Sequence, residues 1–509
     1  MYGCFIDFKK AFDSIPRHTL FQKLLDYGIN GKFYDCLVNI YTNDIACIKT
    51  AEHITPTFIA NQGVKQGCIL SPTLFNIFLA DFQKRVETAD CNPVTLKEGS
   101  LLGCLIWADD ILLLSKSKTG MENMLANLKS FSDENGMTLN IKKTKIMTFN
   151  KGGRHIRENF FFGKEKIETT REYKYLGFLV TPSGEINSGL KDLKDRALRA
   201  FHKLKSKMGI SFRKHPRITI KLFRSLLEPI LIYASDFWGI LKMPSSNPIE
   251  TVHISFCKQL LGVQKQTTND GVLLELGQIP IVMHAKKRAI KNWVRMATDT
   301  KCSGILSETY KFSVDEKLPW TENIETLLSE IGLRQSFISR DPDSHMKAFQ
   351  RLQDIFHQTT LEKIKNGDSR LRTYALFKTS PGFEKYLYEI PSLKERTALT
   401  KLRISNHKLM IEKGRHTKPK THKSLRFCPF CPNQVEDEKH FLVGCQMYKH
   451  LRPDLYKEVK KISPTITNQP HEYRFLILMG EGNAGPVSRF TNRAMELRDF
   501  LLAKHKTHG

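Results

Sequence analysis

Two acidic motifs decide how this chain folds: Phe5-Ile-Asp-Phe-Lys-Lys-Ala-Phe-Asp13 and, further along, Ala108-Asp-Asp110. Each sets aspartate against an apolar run with the length and composition of a β-strand. A buried carboxylate without a partner shifts its pKa or destabilises the fold, so proteins keep such groups where a cation neutralises them. The two motifs therefore predict a β-sheet that carries a site for divalent metal ions.

The second motif is expected at the tight turn of a β-hairpin. Apolar residues 101–107 precede it, apolar residues 111–114 follow it, and the first motif ends a neighbouring buried strand. If these strands lie side by side, Asp7, Asp109 and Asp110 meet at one end of the sheet and hold two cations through oxygen ligands. This is the arrangement of two-metal phosphoryl transfer. Two aspartates alone are more often a solvated turn, so the prediction depends on the motifs that follow.

Three further motifs have physical features of their own. Gly63 and Gly67 permit positive φ or a close approach of the backbone to a nucleotide, and Ser71-Pro72 predicts a helix with Ser71 as its N-cap. Taken alone, Gly67 also fits an ordinary loop. The three motifs are Gly63-Val-Lys-Gln-Gly67-Cys-Ile-Leu-Ser71-Pro72, Gly136-Met-Thr-Leu-Asn140 with Lys143-Thr-Lys145, and Tyr173-Lys-Tyr-Leu-Gly177.

In this order the five motifs resemble those of the reverse transcriptases of non-LTR (LINE-like) retrotransposons, over residues 1 to about 300. The resemblance implies an α+β fold: a right-hand polymerase palm with partial fingers, a helical thumb, a helical connector and a small zinc-binding C-terminal module. It also implies RNA-directed DNA polymerase activity, in which nucleotides are joined to a primer 3′-hydroxyl.

The same resemblance implies catalytic roles for four residues. Asp7, Asp109 and Asp110 would be the ligands of two Mg²⁺ ions. Lys143 would protonate the departing pyrophosphate, and its plain alternative is one more solvated lysine on a basic surface. Many members of the family have Tyr or Phe where this chain has Ala108.

Contacts with nucleotide, template and primer are implied in the same way. Phe12 would be the bulky gate that excludes a ribose 2′-hydroxyl, and Gln66 and Gly67 would contact the template or the incoming nucleotide. A primer grip would position the primer end, although its tyrosines also suit an ordinary strand. The predicted primer-grip residues are Tyr175, Leu176 and Gly177.

Composition indicates a polyanionic partner. The chain has 79 Lys+Arg against 52 Asp+Glu, a formal net charge of +27, which favours nucleic acid. The resemblance specifies an RNA template, a DNA primer or target, and deoxynucleoside triphosphates. No apolar run reaches the ~20 residues of a membrane span, and eleven cysteines without framework spacing predict reduced thiols. We expect an intracellular protein that functions in the nucleus, without a membrane partner.

Periodicity and charge divide the chain. Helices are expected at residues 18–27 and 32–41, followed by a hairpin at 46–60, and a helix with a strongly basic outer face is expected from residue 190. The predicted domains are 1–180, palm with partial fingers; 181–270, thumb; 271–395, helical connector of unknown role; 396–460, basic arm and zinc knuckle; and 461–509, tail.

A second metal site is predicted near the C-terminus. Cys428 and Cys431, with His440 and Cys445, have the spacing of a small zinc module. The motif resembles the Cys-Cys-His-Cys knuckle that many non-LTR elements carry after the polymerase. Its alternative is three unrelated core thiols and a surface histidine.

Only six residues precede Asp7, whereas the relatives have fingers strands and usually an endonuclease before this point. The interpretation is an N-terminally truncated polymerase. The alternative from another class is a catalytically inactive remnant that only binds nucleic acid. A maturase-like splicing protein is a third possibility, which the zinc motif disfavours.

Overall fold

A computed structural model describes residues 1–42, 44–96, 99–244, 246–298, 304–366 and 370–507, with side chains up to residue 504. The chain divides into two compact units. Unit 1 contains Met1–Asp192 and Thr300–Leu318, and unit 2 contains Leu193–Asp299 and Pro319–Gly509.

Unit 1 is built on a six-stranded sheet, in the order β6-β7-β1-β8-β10-β9, with three short hairpin pairings of two or three residues beside it. All of its strands fall in the first 180 residues. They are β1 Tyr2–Ile6, β2 Ile45–Ala46, β3 Phe58–Ile59, β4 Val94–Thr95, β5 Leu101–Leu102, β6 Cys104–Trp107, β7 Asp110–Ser115, β8 Lys145–Thr148, β9 Phe160–Phe162, β10 Glu165–Thr169, β11 Tyr173–Tyr175 and β12 Phe178–Val180.

Alternation along β1 separates two apolar cores. Cys4 and Ile6 belong to the large core that also contains residues of α3 and α4, whereas Phe5 points to the opposite face. This follows from the two-residue period of a strand. Because both faces are covered, β1 and β7 are apolar almost throughout, and each fully buried large side chain contributes roughly 1.5–3 kcal/mol.

The helices of unit 1 confirm the predicted order of elements. Residues 18–27 and 32–41 were expected to be helical, and the structure has α1 and α2 there, followed by the β2–β3 hairpin. The helices are α1 Arg17–Asp26, α2 Gly31–Thr42, α3 Ser71–Val86, α4 Lys118–Glu134 and α13 Ile305–Asp315, with a 3₁₀ turn at Ala11–Asp13; α5 Asn187–Met208 begins in this unit.

One predicted helix start is wrong in detail. Helix α3 begins at Ser71, with Leu70 at the N-cap and no side-chain cap. The Ser71 hydroxyl instead donates to the carbonyl of Lys65 at 2.7 Å. Ser71 is buried, and a buried hydroxyl needs a hydrogen-bond partner within the protein. The Lys65 carbonyl is that partner.

Unit 2 is almost entirely helical. The predicted amphipathic helix is α5, whose Leu193, Ala197 and Phe201 are buried while Lys203 and Lys205 are exposed. Two short strands, β13 Phe427–Cys428 and β14 Cys431–Val435, form a hairpin. The remaining helices are α6 Ser211–Lys214, α7 Pro216–Leu222, α8 Glu228–Leu231, α9 Ser235–Trp238, α10 Pro248–Leu261, α11 Asn269–Glu275, α12 Ile281–Thr298, α14 Pro319–Glu330, α15 Arg334–Ile338, α16 Ser344–Lys365, α17 Tyr386–Glu389, α18 Leu393–Arg403, α19 Met410–Lys413, α20 Arg452–Val459, α21 His471–Met479 and α22 Ala484–Thr507.

A buried polar cluster ties distant parts of unit 2 together. The carboxylate of Glu275, fully buried, accepts hydrogen bonds from Arg403 Nε (2.6 Å), the Tyr386 hydroxyl (2.6 Å) and the Tyr374 hydroxyl (2.7 Å). Arg403 also donates to Glu384. One arginine of the predicted basic arm is therefore internal, because its charge is neutralised by carboxylates far away in the sequence.

None of the helices in the described ranges combines the length and apolar character needed to cross a membrane.

Candidate active site and zinc-type cluster

The three predicted metal ligands lie at one end of the sheet of unit 1. Strands β1 and β7 are antiparallel, with Ile6 opposite Ile111, so Asp7, which follows Ile6, and Asp110, which precedes Ile111, lie at the same end of the sheet. Trp107 pairs with Asp110, which leaves Ala108 and Asp109 as a two-residue turn. The register of two strands thus brings Asp7 to the turn that carries Asp109 and Asp110.

The acidic turn has an unusual backbone. Ala108 has φ +53°, in the left-handed region that residues other than glycine rarely occupy. Two-residue hairpin turns require positive φ at their first central position, so the turn geometry imposes this conformation on an alanine. Such strain is concentrated at functional sites.

The expectation that apolar flanks bury the acids is wrong for two of them. Asp109 and Asp110 are exposed, and Asp7 is half-buried. Strand β7 is buried beyond Asp110, but β6 is only partly buried and its Trp107 is 70% exposed, so the turn between them lies in solvent. Partial burial, together with the nearby charges of Asp109 and Asp7, raises the pKa of Asp110.

A loop between α4 and β8 fixes Asp7. The Asn140 side-chain amide donates to Asp7 Oδ2 at 2.9 Å, and Lys143 Nζ lies 3.6 Å from Oδ1. The backbone N–H of Asp7 donates to the hydroxyl of buried Thr144. The predicted residue Lys143 therefore lies beside Asp7, and Asn140 and Thr144 are positioning residues to which the sequence motif gave no role.

A glycine loop is bonded to the segment that carries Phe12. Val64 N–H donates to the Phe12 carbonyl at 2.8 Å, and Gln66 donates to Asp13 Oδ1 at 3.1 Å. Gly63 has φ +81°, and a Cβ there would lie 2.8 Å from backbone atoms of Phe12 and Asp13. Only glycine permits this approach.

The other predicted nucleotide contacts occupy different surroundings. Phe12 is half-buried and stacks on Phe75, with ring centroids 4.9 Å apart. Gln66 and Gly67 are exposed, and Gly67 has φ +84° with open space where a Cβ would be. The loop therefore offers backbone and an amide to solvent beside a fixed aromatic ring.

The predicted primer-grip hairpin packs on the sheet near the acids. Strands β11 and β12 are joined by Leu176 and Gly177, both with positive φ as a type I′ turn requires. Tyr173 stacks on Phe5 with centroids 4.1 Å apart. Burial, reinforced by the charge of Asp110, raises the pKa of Tyr175 to about 12.

Known proteins match the part of the chain that carries this site. Residues 1–180 match the family described as reverse transcriptase (RNA-dependent DNA polymerase). Residues 1–180 are a reverse transcriptase domain. The resemblance to non-LTR retrotransposon proteins is also confirmed by the curated relatives.

The relatives of this reverse transcriptase domain come from mobile elements. A Pol polyprotein of the type-1 retrotransposable element R2 from Popillia japonica is 28% identical over 243 residues, 46% of this chain and 38% of that protein. The RNA-directed DNA polymerase of the mobile element jockey from Drosophila funebris is 23% identical over 267 residues, 51% of this chain and 28% of that protein. The chain thus spans well under half the length of these relatives.

Among solved structures, a telomerase from Candida albicans in complex with a fragment of telomeric RNA covers 61% of this chain and 49% of its own. The identity is 14% and the TM-score 0.27. An overlap this low carries no weight for the fold.

The reverse transcriptase domain contains a buried arginine to which the sequence gave no role. Arg17 Nε donates to the Gly63 carbonyl at 2.9 Å, Nη1 donates to the carbonyls of Tyr41 and Ala60, and Nη2 pairs with Asp44 at 2.8 Å. Arg17 thereby joins helix α1, the β2–β3 hairpin and the glycine loop. Its position after the first motif is visible in the sequence, but its partners are not.

The four predicted zinc ligands come together in unit 2. Their ligand atoms all lie within 4.8 Å of one another. The Sγ atom of Cys445 lies 3.9 Å from that of Cys428 and 3.7 Å from that of Cys431. Tetrahedral zinc with Zn–S of about 2.3 Å requires Sγ separations of about 3.8 Å. The group could hold a metal ion.

Two further observations fit a metal. Within the described part of the chain, His440 Nε2 is buried without a hydrogen-bond partner, as a ligand atom would be without its ion. A hydrogen bond from Cys445, helped by His440 against the effect of burial, lowers the pKa of Cys428 to about 4, which favours the metal-binding thiolate. Arg452 donates to the carbonyls of Leu442 and Cys445, fixing the segment that supplies the last two ligands.

Proposed function

We propose that this chain is the RNA-directed DNA polymerase part of a non-LTR retrotransposon protein. It extends a DNA primer on an RNA template with deoxynucleoside triphosphates, and it functions in the nucleus, where its DNA target lies. The observation that supports this most is the register of β1 and β7: Ile6 lies opposite Ile111, so Asp7 and Asp110, the residues next to this pair, lie at the same end of the sheet. The jockey relative carries this activity in its name.

In subdomain terms, we assign the six-stranded sheet to the palm and α1, α2 and the β2–β3 hairpin to partial fingers. Residues 181–270 would be the thumb, 271–395 the connector, 396–460 the basic arm with the zinc knuckle and 461–509 the tail. The basic outer face of α5 supports a thumb that contacts phosphates.

Asp7, Asp109 and Asp110 fit two Mg²⁺ ions by their chemistry. Carboxylate oxygens are the preferred ligands of this hard cation. Partial burial, followed by the charges of Asp109 and Asp7, raises the pKa of Asp110, and a divalent cation would neutralise this negative charge. When bound, the ions would supply activation of the primer 3′-hydroxyl and neutralisation of the triphosphate.

The reaction is one nucleotidyl transfer. A bond forms between the primer 3′-oxygen and the α-phosphorus, the bond from that phosphorus to its bridging oxygen breaks, and pyrophosphate leaves. Lys143 would give the pyrophosphate a proton, and its place 3.6 Å from Asp7 supports that role. Proton donation of this kind contributes typically 10²–10⁴-fold to a rate.

Substrate selection would come from the glycine loop and its aromatic neighbour. Phe12, held by stacking on Phe75, would block a ribose 2′-hydroxyl. Exposed Gln66 and Gly67 would contact the template or the nucleotide. Tyr175 and the turn Leu176-Gly177 would position the primer, and the packing of Tyr173 on Phe5 supports a rigid hairpin there.

For the cluster in unit 2 we propose Zn²⁺ bound by Cys428, Cys431, His440 and Cys445. Three thiolates and one imidazole are a common structural zinc set. A zinc knuckle at this place would help to hold RNA or target DNA.

Primer extension tests the function. The full chain is incubated with a DNA primer annealed to an RNA template, deoxynucleotides and Mg²⁺, beside the variant Asp109→Asn and the matched control Asp90→Asn. Template-dependent products from the wild type and Asp90→Asn, but not from Asp109→Asn, support the polymerase. Salt-sensitive binding without synthesis by any of the three supports the inactive remnant instead.

A further inference from the structure

A small polar cavity opens in unit 2. Its volume is about 180 Å³, room for roughly six waters at ~30 Å³ each and below the roughly 300–1,000 Å³ of typical small-molecule sites. The cavity therefore suits one compact group with its hydration rather than a whole nucleotide. It is lined by residues 264 and 266–268, residues 405–408, Glu412, Lys413, His416 and Arg370.

The lining is rich in positive charge. Arg370, Lys408 and Lys413 contribute cations, and Lys408 is paired with Asp499 at 2.6 Å. The carboxylate Glu412 is already shared by Arg372 and Arg415. The group that fits here is an anion.

Arginines are crowded behind this wall. Burial lowers the pKa of Arg415 and, although Glu412 acts in the opposite direction, the neighbouring charges of Arg372, Arg426 and Arg370 lower it further. Like charges held this close repel one another. Anion binding would reduce that repulsion.

Two buried polar groups at the cavity lack partners within the described residues. The His407 side chain is 1% exposed, and its Nε2 lies 2.9 Å from Glu438 Oε1, but its Nδ1 has no hydrogen bond. Thr267 is 6% exposed, and its hydroxyl has none either. A buried polar group without a hydrogen bond lowers the stability of a protein. Two such groups in the lining of one cavity indicate a polar ligand.

We propose that this cavity binds a phosphate group of a nucleic-acid backbone. Arg370 and Lys413 supply the charge, the Thr267 hydroxyl donates to a phosphate oxygen, and a water on the phosphate donates to His407 Nδ1. The proposal takes its ligand class from the proposed function, because backbone phosphate is the anion that a polymerase meets. RNA and DNA share this group, so either strand is a source.

Binding to labelled oligonucleotides tests the proposal. The full chain and the double variant Arg370→Gln/Lys413→Gln are titrated against a fluorescein-labelled single strand of about 20 nucleotides, first as RNA and then as DNA. The matched control is Lys457→Gln/Lys460→Gln, which removes the same charge from exposed lysines at the C-terminal end of α20, outside the cavity.

The expected result is a Kd raised about tenfold, and a slope of log K against log salt reduced by about one, in the cavity variant relative to the control. If the cavity variant loses affinity for RNA and DNA equally, the site accepts either strand. If it loses affinity for only one of them, the site is assigned to that strand. A cavity variant with the Kd and slope of the control overturns the proposal.

Thr267→Val provides a second variant that keeps shape while removing the unpartnered hydroxyl. It should raise the thermal midpoint of the free protein and weaken oligonucleotide binding, whereas a purely structural threonine would leave binding unchanged. All binding is repeated in an Asp109→Asn background. Because this assay needs no synthesis, loss of polymerase activity and loss of the phosphate site are distinguished.

Discussion

Asn140 holds Asp7 by two hydrogen bonds. Its side-chain amide donates to Asp7 Oδ2 at 2.9 Å, and its backbone N–H donates to the Asp7 carbonyl at 2.8 Å. The second bond fixes the end of β1, and the first fixes the rotation of the carboxylate. Positions that orient a ligand in this way typically matter 10–100-fold for a metal site.

Asn140→Ala should therefore lower the rate of primer extension by about 10–100-fold while reducing the free energy of unfolding by only about 1 kcal/mol. The measurements are single-nucleotide incorporation and urea unfolding. Asn123→Ala is the control, since it also removes a hydrogen bond that a side-chain amide donates, here to the backbone carbonyl of Asp90. Equal rates of primer extension for both variants would show that Asn140 does not position Asp7 for the reaction.

Asp109→Asn should make the metal-free protein more stable at pH 7. The raised pKa of Asp110 means that the folded chain binds a proton more readily than the unfolded chain. The free energy of unfolding therefore falls as pH rises from about 4, the ordinary pKa of aspartate, through the raised pKa of Asp110 in the folded chain.

Exposed charge pairs are worth under about 1 kcal/mol, so the expected rise in the thermal midpoint is about 1–3 °C. It should shrink at acid pH, and Mg²⁺ should stabilise the wild type more than the variant. Thermal unfolding with and without Mg²⁺ measures both effects. If the wild type and Asp109→Asn had the same thermal midpoint at every pH, the negative charges of the acidic turn would not destabilise the fold.

Arg17→Met should destabilise unit 1 by about 3 kcal/mol, because it removes the buried donor to the carbonyls of Gly63, Tyr41 and Ala60 and leaves half-buried Asp44 paired with Lys65 alone. Although burial acts in the opposite direction, hydrogen bonds from Lys65 and Arg17 lower the pKa of Asp44. The stabilisation is therefore present at neutral pH and is lost as pH falls through that lowered value.

Urea unfolding at neutral pH measures this loss. The control Arg85→Met breaks the exposed pair with Glu134 and should lose at most about 1 kcal/mol. Similar losses from the two variants would show that Arg17 does not join the glycine loop to the fold.

The purified chain should carry about one Zn²⁺, because three thiols and a histidine already have the separations of a tetrahedral site. Cys431→Ser should lose the ion and lower the thermal midpoint, and the exposed thiol variant Cys36→Ser should keep both. Mass spectrometry of the bound metal measures the content. A metal-free wild type that unfolds like Cys431→Ser would exclude structural zinc.

Local pattern was sufficient for the elements that carry the acids. Apolar runs on either side of Asp109-Asp110 predicted the β6–β7 hairpin, and periodicity predicted α1, α2 and α5, because both signals come from neighbouring residues. The same apolar runs also predicted buried carboxylates. This is wrong for Asp109 and Asp110, because the turn that carries them lies in solvent. It also misassigned the Ser71 hydroxyl, whose partner is the carbonyl of Lys65.

Long-range partners were beyond the reach of the sequence. Arg403 belongs to a basic stretch, yet its charge is balanced by Glu275 and Glu384 in the buried cluster. Nothing in the spacing of Arg17 indicates that it bonds Gly63 or Asp44. Such pairs depend on how helices pack, so only the folded chain reveals them.

Affinity cleavage with iron measures whether Asp7, Asp109 and Asp110 hold the same metal ions. Fe²⁺ replaces Mg²⁺ in the full chain, ascorbate and hydrogen peroxide generate hydroxyl radicals at the bound iron, and the cut sites are mapped by mass spectrometry. We expect cuts near residue 7 and near residues 109–110, which excess Mg²⁺ suppresses and which Asp110→Asn abolishes at both segments. Cuts at only one of the two segments, or cuts unchanged in Asp110→Asn, would show that the three aspartates do not share a metal site.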